Sequence, residues 1–296
     1  MARVAAMFVF KAAVVGAGVM GGEIAQVIAA ADVPVVLKDV DRKFVDAGLE
    51  KAREVTQGQA AKLVKKGKVS EAQAAEQVER TLGLITGTTS YDEFGDVDFV
   101  IEAVPEKMEI KHAVFAELDA STPGHAILAS NTSGLSITEI GDATNRPDRV
   151  VGFHFFWPAS YMRLIEVIEG EDTSPESAQA AANFAQQIKK MPVRCAECPG
   201  FVVNRILVST ASEIWRYQDE TGLPVEELDE FITVNVNMPM GPFRVADMSG
   251  LDTVVKVARD MREAYGDRFY VHRGMEERLE RGELGAKTGK GFYEHA

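Results

Sequence analysis

The feature that most constrains this chain is the stretch Ala12 to Gln26, where an apolar run is turned by glycines into an alanine-rich helix. Phe8 to Val15 reads as a buried strand. Gly16, Gly18 and Gly21 then carry the spacing G-x-G-x-x-G. Gly16 permits the tight turn, Gly18 lets a pyrophosphate approach the backbone, and Gly21 lets helix and strand pack closely. The helix start turns unpaired N–H groups and a positive dipole end toward such a ligand. Three glycines at this spacing also arise by chance, so the context decides. A second apolar run, Val33 to Lys38, ends at Asp39, 39 − 21 = 18 residues past the last glycine. An acidic residue roughly 20 positions on is where the adenosine ribose of NAD finds its acceptor. The reading is a dinucleotide-binding βαβ unit rather than a tight turn in some other α/β protein. Asp39 favours NAD, because a carboxylate repels a 2′-phosphate, while Lys38 and Arg42 beside it leave NADP open.

Downstream, apolar spacing and good helix formers predict helix from Arg42 to about Arg80, long enough to form a helical hairpin projecting from the sheet. Strands are expected at Val97–Val104, Ala126–Ser130, Val150–Phe156, Leu164–Ile168 and near Val193, with helices through Phe115 to Leu118 and from Ser174 to Lys190. This alternation implies a Rossmann-type doubly wound, mostly parallel α/β sheet, with ligands beyond the strand carboxyl ends. Pro199-Gly200 breaks the pattern. After it only helical stretches follow, at Val202–Glu220, Val225–Val236, Phe243–Tyr265 and Met275–Arg281. The expected organisation is an NAD-binding domain over 1–197 and an all-α C-terminal domain over 198–296.

At 296 residues two domains are natural, and a net charge of −13 argues against nucleic acid or an anionic membrane as partner. No apolar run reaches the length of a membrane span. Met1 to Phe10 faintly resembles a signal peptide, but Lys11 interrupts it, and the segment reads as a lead-in to the first strand. Two cysteines, Cys195 and Cys198, cannot make a disulfide framework, which suits a cytoplasmic protein. No metal site is expected, since their C-x-x-C spacing has no second pair. A redox role is disfavoured because Pro199 follows at once instead of a helix. Lys62, Lys65, Lys66 and Lys68 lie between Glu54 and Glu71 with no acid among them. A solvated helix face is the plain reading of such a run; in an acidic protein it is also the best patch for a phosphorylated ligand.

Of five histidines, His154 alone ends a buried strand near the crevice. Glu166 follows in the neighbouring strand, 166 − 154 = 12 positions on. A carboxylate against one imidazole nitrogen fixes the tautomer and stabilises the imidazolium formed when the other nitrogen takes a proton. Beside a nicotinamide, that suits oxidation of an alcohol.

With these residues in place, the chain resembles the L-3-hydroxyacyl-CoA dehydrogenases, both the short single-function enzymes and the dehydrogenase part of multifunctional fatty-acid oxidation proteins. The resemblance covers almost the whole chain. It rests on Gly16–Gly21, Glu102-Ala-Val-Pro-Glu106, Ser130-Asn-Thr-Ser133, His154 with Glu166, Pro199–Arg205, Gly241–Asp247 and Lys287–Tyr293. It implies reversible, NAD-linked oxidation of an L-3-hydroxyacyl-CoA, with His154 as base and Glu166 as its partner. Ser133 and Asn204 would hold the substrate's 3-oxygen, and the lysine-bearing hairpin would meet the CoA phosphates. The implied cofactor surface is Gly16, Gly18, Val19, Met20, Gly21, Asp39, Val104, Glu106, Lys111, Ser133 and Trp157. The helical domain would carry a homodimer contact. An NADPH-linked reduction of acetoacetyl-CoA and a non-catalytic dinucleotide-binding relative are the alternatives. One departure stands out: the family's His-Phe-Phe-Asn-Pro is His154-Phe-Phe-Trp157-Pro158 here. Activity is expected to survive it, because His154, Glu166, Ser133 and Asn204 are all present. The motif Lys287–Tyr293 ends the first helical half-domain in larger members, so this chain could be complete or a piece of one.

Overall fold

A computed structural model describes residues 8–295. Contacts divide the chain into two compact units, separating at Cys198/Pro199. In the first, β1 (Ala12–Val15) leads through the glycine turn into α1 (Val19–Ala29) and β2 (Val35–Lys38). The helices α2 (Arg42–Lys65) and α3 (Glu71–Gly83) pack on each other before β3 (Ile85–Thr88). Then come β4 (Phe99–Glu102), α4 (Met108–Ser121), β5 (Ile127–Ser130), α5 (Ile137–Gly141), β6 (Val150–Phe155), β7 (Leu164–Glu169), α6 (Pro175–Gln187) and β8 (Met191–Ala196).

The strands form one sheet in the order β3-β2-β1-β4-β5-β6-β7-β8. Every pairing is parallel except β6 with β7. The order reverses between β1 and β4, the switch point where such sheets open a crevice at the strand carboxyl ends. The four residues of each of β1, β2, β4 and β5 are all buried, as expected of strands covered on both faces. Phe99, Phe153 and Phe184 meet in the core with ring centroids 4.6–6.0 Å apart, and each such buried ring stabilises by about 1.5–3 kcal/mol.

Several boundaries differ from the sequence pattern. The first strand begins at Ala12 rather than Phe8, because the amides of Phe10 and Lys11 are taken by Asp98 Oδ2, leaving Phe8 and Phe10 exposed. Residues 1–7 of the lead-in lie outside the described residues. The helical hairpin does not project along its whole length: Val45, Gly48, Ala52, Thr56 and Ala60 of α2 are buried, and α2 packs on α1. Edge strand β3 escaped the pattern because its Ile-Thr-Gly-Thr run is only half-buried. Gly87 is required there, since a Cβ would stand 2.6 Å from Val45.

The second unit is helical: α7 (Val203–Thr221), α8 (Val225–Asn235), α9 (Pro242–Ser249), α10 (Leu251–Tyr265) and α11 (Arg273–Glu280). The single helix read over Phe243–Tyr265 is two, broken at Gly250 with φ +90°. Two of the motifs that carry the resemblance meet here. Asp247, fully buried, accepts from Phe292 N at 2.9 Å and Tyr293 N at 2.8 Å, so the glycine-rich end of the chain is wrapped around a carboxylate rather than around a phosphate.

Candidate active site

The glycine turn sits where β1 and β4 part. Gly16 has φ +103°, and a Cβ on it would meet Ala103 O at 2.5 Å; one on Gly21 would meet Gly16 O at 1.7 Å. Neither position accepts another residue without a shift of the backbone. Gly18 is different: a Cβ there has nothing within 4 Å. It is the N-cap of α1 and makes no side-chain cap, so the amides of the first turn face outward without a protein partner from that residue. Asp39, at the end of β2, accepts from Ala17 N at 2.7 Å and Val40 N at 2.7 Å, which fixes its carboxylate against the turn. An open glycine turn beside a fixed carboxylate fits a dinucleotide. Val19 is 59% exposed at the first position of α1, and Met20 is half-buried behind it. Gly18→Val should therefore fold with an unchanged melting temperature yet bind NADH roughly tenfold more weakly or worse, a loss of about 1.4 kcal/mol, measured by fluorescence titration. An equal loss of melting temperature would show that the position is structural instead.

Lys38 and Arg42 are not poised for a 2′-phosphate. Lys38 is buried with its ammonium 4.1 Å from the Tyr91 ring centroid, and Arg42 pairs with Asp46 at 2.8 Å.

At the ends of β4 and β5 lies a charged network. Lys111, 1% exposed, reaches Glu102 Oε1 at 2.8 Å and Oε2 at 2.9 Å, and Glu106 Oε2 at 3.3 Å. Two of the ammonium's protons go to Glu102 and the Glu106 carboxylate pairs with its charge, so Lys111 stands behind Glu106 rather than at an open surface. Glu102, fully buried, also accepts from Ser130 Oγ at 2.6 Å and Val104 N at 2.7 Å. Burial raises its carboxyl above the ordinary value, and Lys111, Ser130 and Val104 oppose that rise. Glu106 Oε1 in turn accepts from Thr132 Oγ1 at 2.6 Å and Ser133 N at 2.9 Å, which presents Ser133 at the exposed rim. Asn131 Oδ1 accepts from Phe155 N at 2.9 Å and ties this loop to the end of β6.

There, the antiparallel pairing of β6 and β7 sets His154 directly opposite Glu166. His154 Nδ1 lies 2.8 Å from Glu166 Oε2, with the imidazole 5% exposed and the carboxylate fully buried. Phe156 packs on the imidazole at 4.5 Å between centroids. Trp157 follows, 55% exposed, and its peptide bond to Pro158 is cis.

The lysine patch falls at the end of α2 and in the turn after it. Lys62 bonds the Tyr161 hydroxyl and lies 4.6 Å from that ring's centroid. Lys65, Lys66 and Lys68 are exposed, and no ion pair holds them among the described residues. Asn204 is the second residue of α7, in the second unit. Cys195 lies in β8, where burial first and then the Glu166 charge push its thiol up to about 12, so it is no nucleophile. Sequence reasoning gave no roles to Glu102, Ser130, Thr132 or Asn131. The sequence pattern assigns no role to Glu23 or Lys190 either, although a glutamate among the small apolar residues of α1 is a visible signal.

The same division appears in known proteins. Residues 11–198 match the model for the 3-hydroxyacyl-CoA dehydrogenase NAD binding domain, and 200–295 that for the C-terminal domain. The chain belongs to the 3-hydroxyacyl-CoA dehydrogenase family. Its members' dinucleotide is NAD, in keeping with the glycine turn above. The chain is 39% identical over 286 residues to a 3-hydroxybutyryl-CoA dehydrogenase of Clostridioides difficile, covering 96% of this chain and 99% of that one. It is also 39% identical over 292 residues to the fatty acid oxidation complex subunit alpha of Psychrobacter sp. (strain PRwf-1), of which it spans only 38%. Among solved structures, (S)-3-hydroxybutyryl-CoA dehydrogenase from Ralstonia eutropha superposes with a TM-score of 0.89 at 36% identity, covering 98% of this chain and 100% of that one. M. tuberculosis FadB2 gives 0.90 at 35%, with the same coverage.

Proposed function

We propose that the protein interconverts a short-chain L-3-hydroxyacyl-CoA, 3-hydroxybutyryl-CoA foremost, and its 3-oxoacyl-CoA with NAD. The observation that carries this is the His154–Glu166 pair, buried side by side in register. Glu166 accepts the Nδ1 proton and leaves Nε2 as the base. Nε2 takes the 3-hydroxyl proton in oxidation and returns it to the 3-oxygen in reduction, with the buried carboxylate stabilising the imidazolium between the two. NAD, when bound, supplies the hydride acceptor. Ser133, whose amide Glu106 holds at the rim, is assigned to bond the 3-oxygen. The four-carbon preference and the stereochemistry are supported by the names of the full-length relatives. Lys62, Lys65, Lys66 and Lys68 are assigned to the CoA phosphates. Reversing all four to Glu should raise KM for acetoacetyl-CoA roughly tenfold at low salt, with the effect shrinking as salt rises. Unchanged KM would return them to solvated surface.

The test of the function is NADH oxidation by acetoacetyl-CoA, repeated with NADPH and with longer 3-oxoacyl-CoA esters. NADH turnover well above NADPH, highest with the four-carbon ester, is expected. NADH binding without turnover on any ester would favour a non-catalytic dinucleotide-binding protein. The NADPH reading has only Lys38 and Arg42 in its favour, and both are occupied elsewhere. A homodimer belongs to the same proposal, supported by Phe231, Val234 and Val236, which stand 57%, 70% and 55% exposed on and just after α8.

A further inference from the structure

Two buried charges of the first unit take no part in the chemistry above. Glu23, in the body of α1, is 3% exposed, and Lys190, just ahead of β8, is 8% exposed. Both are directed to a single loop, residues 157–162, which follows the strand of His154. The Glu23 carboxylate accepts from Ser160 N at 3.1 Å and from Ser160 Oγ at 3.2 Å. Lys190 Nζ donates to Ala159 O at 2.5 Å and Met162 O at 2.7 Å. Gln59 of α2 adds a longer bond to Ser160 O.

Taking a carboxylate and an ammonium out of water is costly unless each finds hydrogen bonds. Here those bonds all go to the loop backbone and Ser160. Burial pulls the Lys190 ammonium below the ordinary lysine value, and the negative charge of Glu23 counters it, so the two ions also sense each other. The loop has a fixed floor, with Ala159 fully buried, and an apolar rim, with Trp157 and Tyr161 each 55% exposed and Met162 44% exposed. Its start is tied through Phe155 to Asn131, two positions before Ser133. Its middle is tied through Ser160 to the helix that begins at the glycine turn. The loop therefore spans from the catalytic strand to the cofactor helix.

We propose that Glu23 and Lys190 are positioning residues that clamp the 157–162 loop, Glu23 to the dinucleotide-binding helix and Lys190 to the start of β8, so that Trp157 stands fixed beside the cofactor crevice and the loop's apolar rim selects the acyl-CoA. The kinetic half of this rests on the proposed function; the placement of Trp157 does not.

The test uses the whole chain with Trp215, the other tryptophan, replaced by Phe, so that emission reports Trp157 alone. Glu23→Ala is compared with Glu23→Gln, which keeps an oxygen able to accept from Ser160. In Glu23→Ala, acrylamide quenching of Trp157 should increase. KM for acetoacetyl-CoA should rise about tenfold, the size of a lost charge-assisted bond, while the Kd for NADH stays within about twofold. Glu23→Gln should restore both the quenching and the KM. Should Glu23→Ala fail to fold, Ser160→Ala carries the test, with the same changes in smaller measure. Unchanged quenching and KM in a folded Glu23→Ala overturn the clamp, as does a Glu23→Gln variant no better than Ala. An unaltered protein inert toward acetoacetyl-CoA, yet showing the quenching response, sinks the proposed function and leaves the clamp standing.

Discussion

Replacing His154 with glutamine is expected to lower kcat for acetoacetyl-CoA reduction by about 10²–10⁴, the usual worth of a positioned acid–base group. NADH binding should be unaffected, because the glycine turn and Asp39 are built from β1, α1 and β2, whereas His154 belongs to β6. The glutamine amide can still donate to Glu166, so the buried carboxylate keeps a partner and the fold survives. Glu166→Gln separates orientation from charge. An amide at 166 can present its oxygen to Nδ1 and preserve the tautomer, but it leaves the imidazolium without a buried counter-charge. It can also turn its NH₂ to Nδ1 and impose the wrong tautomer. Either way kcat falls, and KM for the thioester changes less than kcat does. A His154→Gln enzyme that turns over at more than a tenth of the original rate would remove the base assignment.

That pair is legible in the sequence alone, for a physical reason. Only twelve positions separate His154 from Glu166, and a parallel crossover needs about a dozen or more residues in the connection alone. Two adjacent strands so close in sequence can pair only antiparallel, which sets opposite residues face to face. The glycine turn is legible for a similar reason: each glycine answers a local steric demand, and Gly16 at φ +103° could be little else. What escapes is whatever depends on distant partners. Glu23 meets Ser160 across 137 positions and Glu102 meets Ser130 across 28, and neither separation has a periodic signature. The break at Gly250 escapes because one glycine inside a helical pattern is usually tolerated. Here it takes φ +90°, a conformation that ends one helix and starts the next.

The network beneath Ser133 predicts the largest change in stability. Lys111→Met should destabilise the fold by about 3–5 kcal/mol, because it leaves a buried carboxylate without its counter-ion. Both partners are essentially inaccessible, so water cannot take the place of the ammonium. The double variant Glu102→Gln with Lys111→Met removes both charges together. It should recover most of the loss, since a neutral amide can accept from Val104 N with its oxygen and donate its NH₂ to Ser130 Oγ. The pH dependence gives the sign. Glu102 already sits above the ordinary carboxyl value through burial, and Lys111 is the main influence holding it down. Without Lys111 the folded-state value climbs further, so between the unfolded and folded values the native state binds more protons. Stability in that window falls as pH rises, and the Lys111→Met deficit should shrink on acidification, which the double variant should not show. Denaturant melts of the three proteins across that window decide it. If Lys111→Met is no less stable than the double variant at neutral pH, the pair is not a balanced buried charge. Glu106, and with it Ser133, would then need some other support.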